Sequence, residues 1–190
     1  FDPGLGGDPD KRYDGLPGDN GSSSADGKHF EKTYTLSTAR AIRDKLQQTG
    51  ARVFMTRDSD VIIPLLHIPR LTEKYQADAQ ISIHFDHDGD ENNATSATGI
   101  SQYYYHNNGK QLTEALHQSL NQLPLPNRGS DTAKYVVLDQ VTRPATLLEL
   151  GYINNPSDFK HIRTAVYQKE IANAVTAGLQ SYFKQTMERK

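Results

Sequence analysis

The feature that most limits the possible folds is an alternation of strand-like and helix-like segments along the chain. In the first helical segment Leu36, Ala39, Ile42 and Leu46 recur at the spacing of one helix face, and Gly50 is placed to end the helix. Strands that alternate with helices are typical of α/β proteins, in which helices cover both faces of a sheet. The sequence therefore predicts an α/β sheet flanked by helices on both faces.

The other elements follow the same pattern. We predict strands at residues 51–57, 79–85, 99–105, 136–138 and 145–150, and helices at residues 64–76, 109–122 and 165–185. Pro69 is expected to kink or split the second helix, because proline cannot donate a backbone hydrogen bond. Phe1 is expected to end a strand that natural upstream sequence would continue, ahead of a long Gly-, Asp- and Ser-rich loop at residues 2–28. We expect residues 1–190 to form a single domain.

Composition excludes several classes of function. The chain has no cysteine, which rules out thiolate zinc sites, cysteine nucleophiles and disulfides. The formal net charge of −2 argues against binding to nucleic acid, which usually needs a basic face. No apolar run approaches the roughly 20 residues that a membrane-spanning helix requires. No serine-hydrolase elbow and no phosphate-binding loop is present in the sequence.

Three polar residues lie where ligands bind in α/β sheets, near the carboxyl ends of strands. His84 follows an apolar strand, Glu149 interrupts the apolar run Leu147–Leu150, and Glu31 opens the first helix. An unpaired buried carboxylate is costly, so Glu149 needs a partner, a metal or a raised pKa. Imidazole and carboxylate groups are suitable zinc ligands, so the three residues together suggest a metal hydrolase.

Each of these residues also has a structural interpretation. His84 could be a core histidine, and Glu31 could simply favour the start of a helix. Glu149 could belong to an ion pair, with Arg57 or Arg128 as its partner. The acidic residues 86–91 could bind calcium, but they lack the spacing of an EF-hand loop, so a solvated loop is the simpler interpretation.

A series of short motifs resembles one known family. In order they are DPGLGG at residues 2–7, FEK at 30–32, TRDSD at 56–60, ISIH at 81–84, NRG at 127–129 and ELGYINNP at 149–156. The chain is therefore identified as resembling the zinc-dependent N-acetylmuramoyl-L-alanine amidases of the Amidase_3 type. The resemblance implies an α/β fold with a mixed, mostly parallel sheet flanked by helices on both faces.

The resemblance also implies a function and a site. Members of this family hydrolyse the amide between N-acetylmuramic acid and the first L-alanine of the peptidoglycan stem peptide. By motif, Glu31 and His84 match zinc ligands, and Glu149 matches the catalytic glutamate. The implied cofactor is Zn²⁺, and the implied partners are peptidoglycan and an activator protein. Such a substrate places the protein outside the cytoplasm, at the cell wall or at the membrane surface of a bacterium.

One position departs from the family pattern. The first motif normally carries a histidine that binds zinc, and Leu5 stands in its place. Leucine offers no lone pair, whereas catalytic zinc sites normally use three protein ligands. Three explanations remain open: a substitute ligand such as His29, Asp86 or His87, a site that a partner protein assembles or stabilises, or a domain that binds peptidoglycan without cleaving it.

Overall fold

A five-stranded sheet lies at the centre of the computed structural model, which describes residues 1–13, 15–90 and 93–188. In chain order the elements are β1 (Asp2–Pro3), β2 (Arg12–Tyr13), β3 (Leu16–Pro17), α1 (Glu31–Gln47), α2 (His67–Lys74), β4 (Gln80–Asp86), β5 (Ile100–Tyr104), α3 (Asn107–Leu120), β6 (Asn127–Thr132), α4 (Val136–Asp139), β7 (Ala145–Tyr152), α5 (Pro156–Ile162) and α6 (Ala165–Glu188).

The sheet has the order β1-β4-β7-β5-β6. The pairs β1–β4, β4–β7 and β5–β6 are parallel, and β5 runs antiparallel to β7. The prediction of a mixed, mostly parallel sheet is therefore confirmed. Strands β2 and β3 form a separate two-stranded antiparallel ribbon within the first loop.

Helices cover both faces of the sheet, as predicted. The larger core joins α1, α3 and α6 to the face that carries Ile83 and Leu148, both of which are fully buried. A smaller cluster on the other face joins α2 and α4 to Leu147 of β7. Burying an aliphatic side chain of this size contributes roughly 1.5–3 kcal/mol, so the two clusters together hold the sheet between the helices. Within the described part of the chain, no helix combines the length and apolar composition needed to cross a bilayer.

Two predicted strands are wrong. Residues 51–57 are extended beside Phe1, but only two backbone hydrogen bonds join them, from Phe1 to Phe54 and from Thr56 to Phe1. This ladder is too short to make a strand, whatever the local propensity. Residues 136–138 belong to the short helix α4, because Val137 and Leu138 both pack into the smaller cluster. Side chains that alternate along a strand could not do so.

The expected kink at Pro69 is also wrong. Helix α2 is shorter than predicted, and Pro69 is its third residue. Proline is tolerated in the first turn of a helix, because the N–H groups there have no partner within the helix. The helix therefore runs unbroken through this position.

Besides the β2–β3 ribbon, the sequence did not predict two further elements, β6 and α5. Strand β6 lies at the edge of the sheet and is mostly exposed, so it has no alternating apolar pattern. Helix α5 is only seven residues long, too short for an apolar stripe. The sequence does carry a signal for the start of α5, because asparagine is a common N-cap and Pro156 follows Asn155. In the structure the Asn155 side chain accepts hydrogen bonds from the N–H groups of Ser157 and Asp158.

Candidate active site

Glu31 and His84 meet at the carboxyl end of β4. Glu31 is the first residue of α1 and is buried, and His84 lies within β4. The His84 Nδ1–H donates a hydrogen bond of 3.0 Å to Glu31 Oε1, which also accepts one of 3.1 Å from the Phe85 N–H. Glu31 Oε2 accepts a third, of 3.1 Å, from the Ser22 N–H. The fold therefore holds the carboxylate and the imidazole in a defined relative position.

The His84 ring rests on the backbone of the first motif. A Cβ at Gly4 would lie 2.1 Å from the His84 Cε1, so only glycine leaves room for the imidazole there. The Gly4 carbonyl accepts hydrogen bonds from the Thr35 hydroxyl at 2.9 Å and from the Arg57 guanidinium at 3.0 Å. The motif glycine is therefore a fixed support for the histidine.

Glu149 lies beside this pair. Its Cα is the register partner of His84 in the parallel ladder between β4 and β7, so both side chains leave the same face of the sheet. Glu149 Oε2 is buried without a hydrogen-bond partner among the described residues. The alternative of an ion pair with Arg57 or Arg128 is wrong for the described residues, because no ion pair joins Glu149 to either one. Arg57 instead bonds backbone carbonyls, including those of Pro3 and Lys32.

The three groups set one another's protonation. Burial alone would lower the pKa of His84, but the hydrogen bond and charge of Glu31, together with the charge of Glu149, outweigh it and raise that pKa to about 9. Burial raises the pKa of Glu149 to about 8; the charge of His84 opposes this shift, and the charges of Glu31 and Asp86 add to it. The charges of Glu31 and Glu149 thus favour the protonated imidazole of His84, and burial favours the protonated carboxyl group of Glu149.

Leu5 faces the same place. A Cβ at Gly21 would lie 1.9 Å from Leu5 Cδ1 and 2.7 Å from Glu31 Oε2, so the leucine methyl group and the carboxylate are neighbours across Gly21. The Leu5 backbone has a φ of 68°, a left-handed conformation that leucine rarely adopts. The Leu5 side chain therefore lies next to the Glu31 carboxylate and offers it no donor or acceptor atom.

None of the proposed substitute ligands joins Glu31 and His84. His29 Nδ1 lies 3.0 Å from the Tyr34 hydroxyl, and the His29 ring packs on Phe159 with the centroids 5.0 Å apart. Within residues 1–13, 15–90 and 93–188, no group of three or more His, Cys, Asp or Glu side chains could hold a metal ion. The same finding argues against Asp86 and His87 as replacements.

The residues present therefore do not fit a three-ligand zinc site. Glu31 and His84 supply two potential ligands, and each is turned toward the other by their hydrogen bond. Leu5 provides a methyl group where a third ligand is needed. Zinc, which the family resemblance implies, would find an incomplete set of donors within the described residues.

The acidic loop after β4 shows no calcium site among the described residues either. The Asn154 amide donates hydrogen bonds to the carbonyls of Asp88 and Asn93, and the Thr95 hydroxyl donates to the Asp88 carboxylate. Glu91, which belongs to the predicted acidic cluster, lies outside the described residues. The contacts that are described hold the loop against the end of β7.

Sequence reasoning missed an aromatic side of the site. Tyr103 shares the Glu149 face, because its register partner in the antiparallel ladder is Leu147, two residues before Glu149. Tyr135 packs edge-on against Tyr103, with the ring centroids 5.7 Å apart. The run of three tyrosines at residues 103–105 is visible in the sequence. Which of these side chains faces the site depends on the register between β5 and β7, which the sequence does not give.

A separate cavity of about 480 Å³ opens at the amino ends of β1 and β4, the opposite end from His84 and Glu149. Its lining includes Leu46, Phe54 and Leu179, together with Tyr75, which stacks on Phe54 at 4.3 Å. None of the site residues described above lines it. This cavity is therefore separate from the candidate site.

The sheet order and the polar cluster at the carboxyl ends of β4 and β7 define an α/β protein with a hydrolase-like site. The Amidase_3 family, described as N-acetylmuramoyl-L-alanine amidase, matches residues 1–181. The chain belongs to this family.

Individual relatives agree with this assignment. The probable cell wall amidase LytH of Staphylococcus aureus is 37% identical over 163 residues, which cover 85% of this chain and 53% of that protein. The chain thus spans about half the length of the curated relatives that it matches. An N-acetylmuramoyl-L-alanine amidase from Clostridium difficile 630 has a TM-score of 0.86 and 28% identity, with 96% of this chain and 94% of the other covered.

A third relative is informative about fold alone. The CwlD amidase from Clostridioides difficile, solved in complex with the GerS lipoprotein, has a TM-score of 0.84 and 21% identity. The superposition covers 96% of each chain. The predicted fold class is confirmed by these structures.

Proposed function

We propose that this chain is the catalytic domain of a cell-wall amidase that cleaves the amide between N-acetylmuramic acid and L-alanine. The observation that carries the proposal is the half-buried Glu149, whose Oε2 atom is buried beside the Glu31–His84 pair, in a chain that matches the amidase family over residues 1–181. A peptidoglycan substrate places the protein at the cell wall, outside the cytoplasm.

In this proposal Glu149 is the catalytic residue that moves the proton. An amide is a poor electrophile with a poor leaving group, so its hydrolysis needs a proton delivered to the departing nitrogen. With a pKa near 8, the Glu149 carboxyl group holds that proton at neutral pH, and its ionised form can remove a proton from the attacking water. The unpartnered Oε2 leaves one oxygen available for this exchange.

We further propose that Glu31 and His84 are metal ligands whose site is incomplete within this chain, and that metal binding is therefore weak or depends on a partner protein. The support is Leu5, which faces Glu31 without offering a donor atom. The CwlD amidase, which shares this fold, was solved in complex with a lipoprotein, so a protein of this fold can bind a second protein.

A second candidate is a domain that binds peptidoglycan without cleaving it. Leu5 is the observation that favours it, because an amidase that has lost a ligand could keep its substrate site. The two candidates differ in turnover and share the expectation that peptidoglycan fragments bind near Glu149.

Release of stem peptides from purified peptidoglycan separates the two candidates. We expect release by the wild-type protein when zinc and a membrane extract of the source bacterium are supplied, and a loss of about 100-fold or more in Glu149→Gln. Glu114→Gln, an exposed glutamate on α3, is the matched control and should retain full activity. Intact amide bonds under all these conditions, with fragments still bound, would establish the binding domain instead.

A further inference from the structure

An arginine without a carboxylate partner borders the candidate site. The Arg128 guanidinium carbon lies 5.6 Å from the centroid of the Tyr152 ring, a cation–π arrangement. Arg128 is exposed, whereas Tyr152 retains only 8% of its exposure. Among the described residues, Arg128 takes part in none of the ion pairs. We call this pair of residues, Arg128 and Tyr152, the arginine platform.

A bulge in β7 turns Tyr152 toward the reactive face. His84 and Asp86 are register partners of Glu149 and Tyr152, so one residue of β4, Phe85, opposes two of β7, Leu150 and Gly151. The extra residue lies around Gly151, whose φ of 122° is open to glycine but not to other residues. Tyr152 therefore leaves the sheet on the same face as Glu149, although an unbroken strand would place it on the opposite face.

The platform is held from behind by a buried carboxylate. Asp158, which is fully buried, accepts hydrogen bonds from the Tyr152 N–H at 3.0 Å and from the Thr98 hydroxyl at 2.5 Å. The Arg128 guanidinium donates to the Thr98 carbonyl at 3.3 Å. One buried residue therefore fixes both the ring under the guanidinium and a carbonyl beside it, which limits the rotamers of an otherwise exposed arginine.

The charge of Arg128 also affects the pKa of two tyrosines, Tyr103 and Tyr152. Burial raises the pKa of both Tyr103 and Tyr152, and the guanidinium charge opposes that shift in each. The charge of Asp86 raises the pKa of the same two tyrosines, and the charge of Glu149 also raises that of Tyr103. The arginine therefore acts on two tyrosines that share the Glu149 face of the sheet.

Provided that the proposed amidase function holds, we propose that the arginine platform binds a carboxylate of the stem peptide and so positions the scissile amide against Glu149. Arginine presents a planar fork of N–H groups that matches a carboxylate, and the stacked ring holds that fork in one plane. The carboxylate could be that of an acidic residue within the stem or the one at its C-terminus. Both have the same chemistry, and the test distinguishes them.

The test measures equilibrium binding of N-acetylmuramoyl-L-alanyl peptides of two to five residues to the full chain. Each peptide is made with every carboxyl group free and with one carboxyl group at a time converted to the carboxamide. We expect Arg128→Gln to weaken binding of the peptide with all carboxyl groups free by about 10-fold to 100-fold. One of the carboxamide peptides lacks the carboxylate that Arg128 binds. Binding of that peptide should be the same in the wild-type protein and in Arg128→Gln. Binding to the wild-type protein should weaken with added salt, and binding to the variant should not.

Two variants serve as comparisons. Arg128→Lys keeps the charge but not the planar fork, so it should lose less affinity than Arg128→Gln while still preferring the acid. Arg163→Gln removes an arginine that lies over Phe159 at 6.0 Å, and Phe159 packs on the larger core cluster, so this variant should bind as the wild type does.

For one carboxamide peptide, Arg128→Gln should no longer weaken binding. The carboxyl group that is converted in that peptide is the one that Arg128 recognises. An equal loss for all peptides, or no loss for any, overturns the assignment of Arg128. If binding depends on the carboxylate and on Arg128 but no amide is cleaved, the arginine platform is supported and the amidase function is contradicted. If the amide is cleaved and the KM is the same for the wild-type protein and Arg128→Gln, the amidase function is supported and the arginine platform is contradicted.

Discussion

Leu5 lies against Glu31 in a backbone conformation that histidine and asparagine adopt more readily than leucine. The site around it keeps the hydrogen bond between Glu31 and His84, the support of Gly4 and the neighbouring Glu149. Leu5 is thus the residue next to Glu31 that offers no atom able to bind a metal, and we propose that a donor is missing at this position.

Leu5→His is expected to raise zinc affinity, because an imidazole at this position would face Glu31 and complete three ligands with His84. Zinc content after dialysis and the shift in Tm on adding zinc measure the effect. Leu5→Asn is the control, since asparagine tolerates the same φ but is a poor zinc ligand. Equal zinc content in the wild-type, Leu5→His and Leu5→Asn proteins would show that position 5 does not limit metal binding.

Glu149→Gln is expected to change how stability depends on pH. Burial raises the pKa of Glu149 in the folded protein to about 8, above the ordinary glutamate value of 4.5, so protonated Glu149 contributes stability that is fully present below about pH 4.5 and is lost as the pH rises through 8. Glutamine does not titrate, so the variant should gain on the wild type by an amount on the order of 3–5 kcal/mol across this range in metal-free protein. Urea unfolding at several pH values measures the difference, and a difference that stays constant with pH would mean that Glu149 titrates normally.

At the scale of elements, the segment between β7 and α5 joins the site to the rest of the fold. The Asn155 side chain caps α5 through its oxygen, and its amide donates to the carbonyls of Thr95 and Ala97 at 3.3 and 2.8 Å. Asp158 of the same helix holds Tyr152 and Gly99. A helix that sequence periodicity could not find thus anchors the loop after β4 and the bulge in β7.

Asn155→Ala is expected to lower the free energy of unfolding by about 2–3 kcal/mol, because both the cap and the amide donors are lost. Asn155→Ser keeps an oxygen that can cap the helix and loses only the donors, so it should recover about 1 kcal/mol of that loss. Chemical denaturation of the two variants measures each part. Identical destabilisation by alanine and serine would show that the cap contributes nothing here.

At the scale of the whole molecule, Arg57 joins parts of the chain that are distant in sequence. Its guanidinium is buried and donates to the carbonyls of Pro3, Gly4, Lys32 and Ser59 at 2.8 to 3.0 Å. Burial lowers the pKa of this arginine, and the charges of Asp2 and Asp60 oppose that change. The first motif, α1 and the loop after residue 57 are therefore held together by one side chain.

Arg57→Lys is expected to lower the free energy of unfolding by about 2–4 kcal/mol, because an ammonium group cannot reach all these carbonyls and leaves some buried without partners. Arg40→Lys is the matched control: Arg40 is exposed and pairs with Asp58 at 2.7 Å, so its replacement should cost less than about 1 kcal/mol. Urea denaturation compares the two, and similar small losses would mean that the buried carbonyls find other donors.

The sequence by itself determined the α/β class, the main helices α1, α3 and α6, and the strands β4, β5 and β7. Their apolar residues repeat with the period of a helix or fill a buried strand, and burial of those residues is what drives the chain to fold. It also singled out Glu31, His84 and Glu149, because a polar group in an apolar strand or at a helix start is conspicuous without any structure. Their catalytic and metal-binding roles stay predictions.

Tertiary structure alone decided the features that depend on contacts between distant segments. Strand β6 exists because β5 offers it a partner, and residues 136–138 form a helix because Val137 and Leu138 pack into the same cluster. The face of the sheet on which the Tyr152 side chain lies depends on the bulge at Gly151. The position of the Arg128 guanidinium depends in turn on the Tyr152 ring. Register and packing are set by partners far along the chain, whereas periodicity reports only on neighbours, so the arginine platform could be seen only in the folded protein.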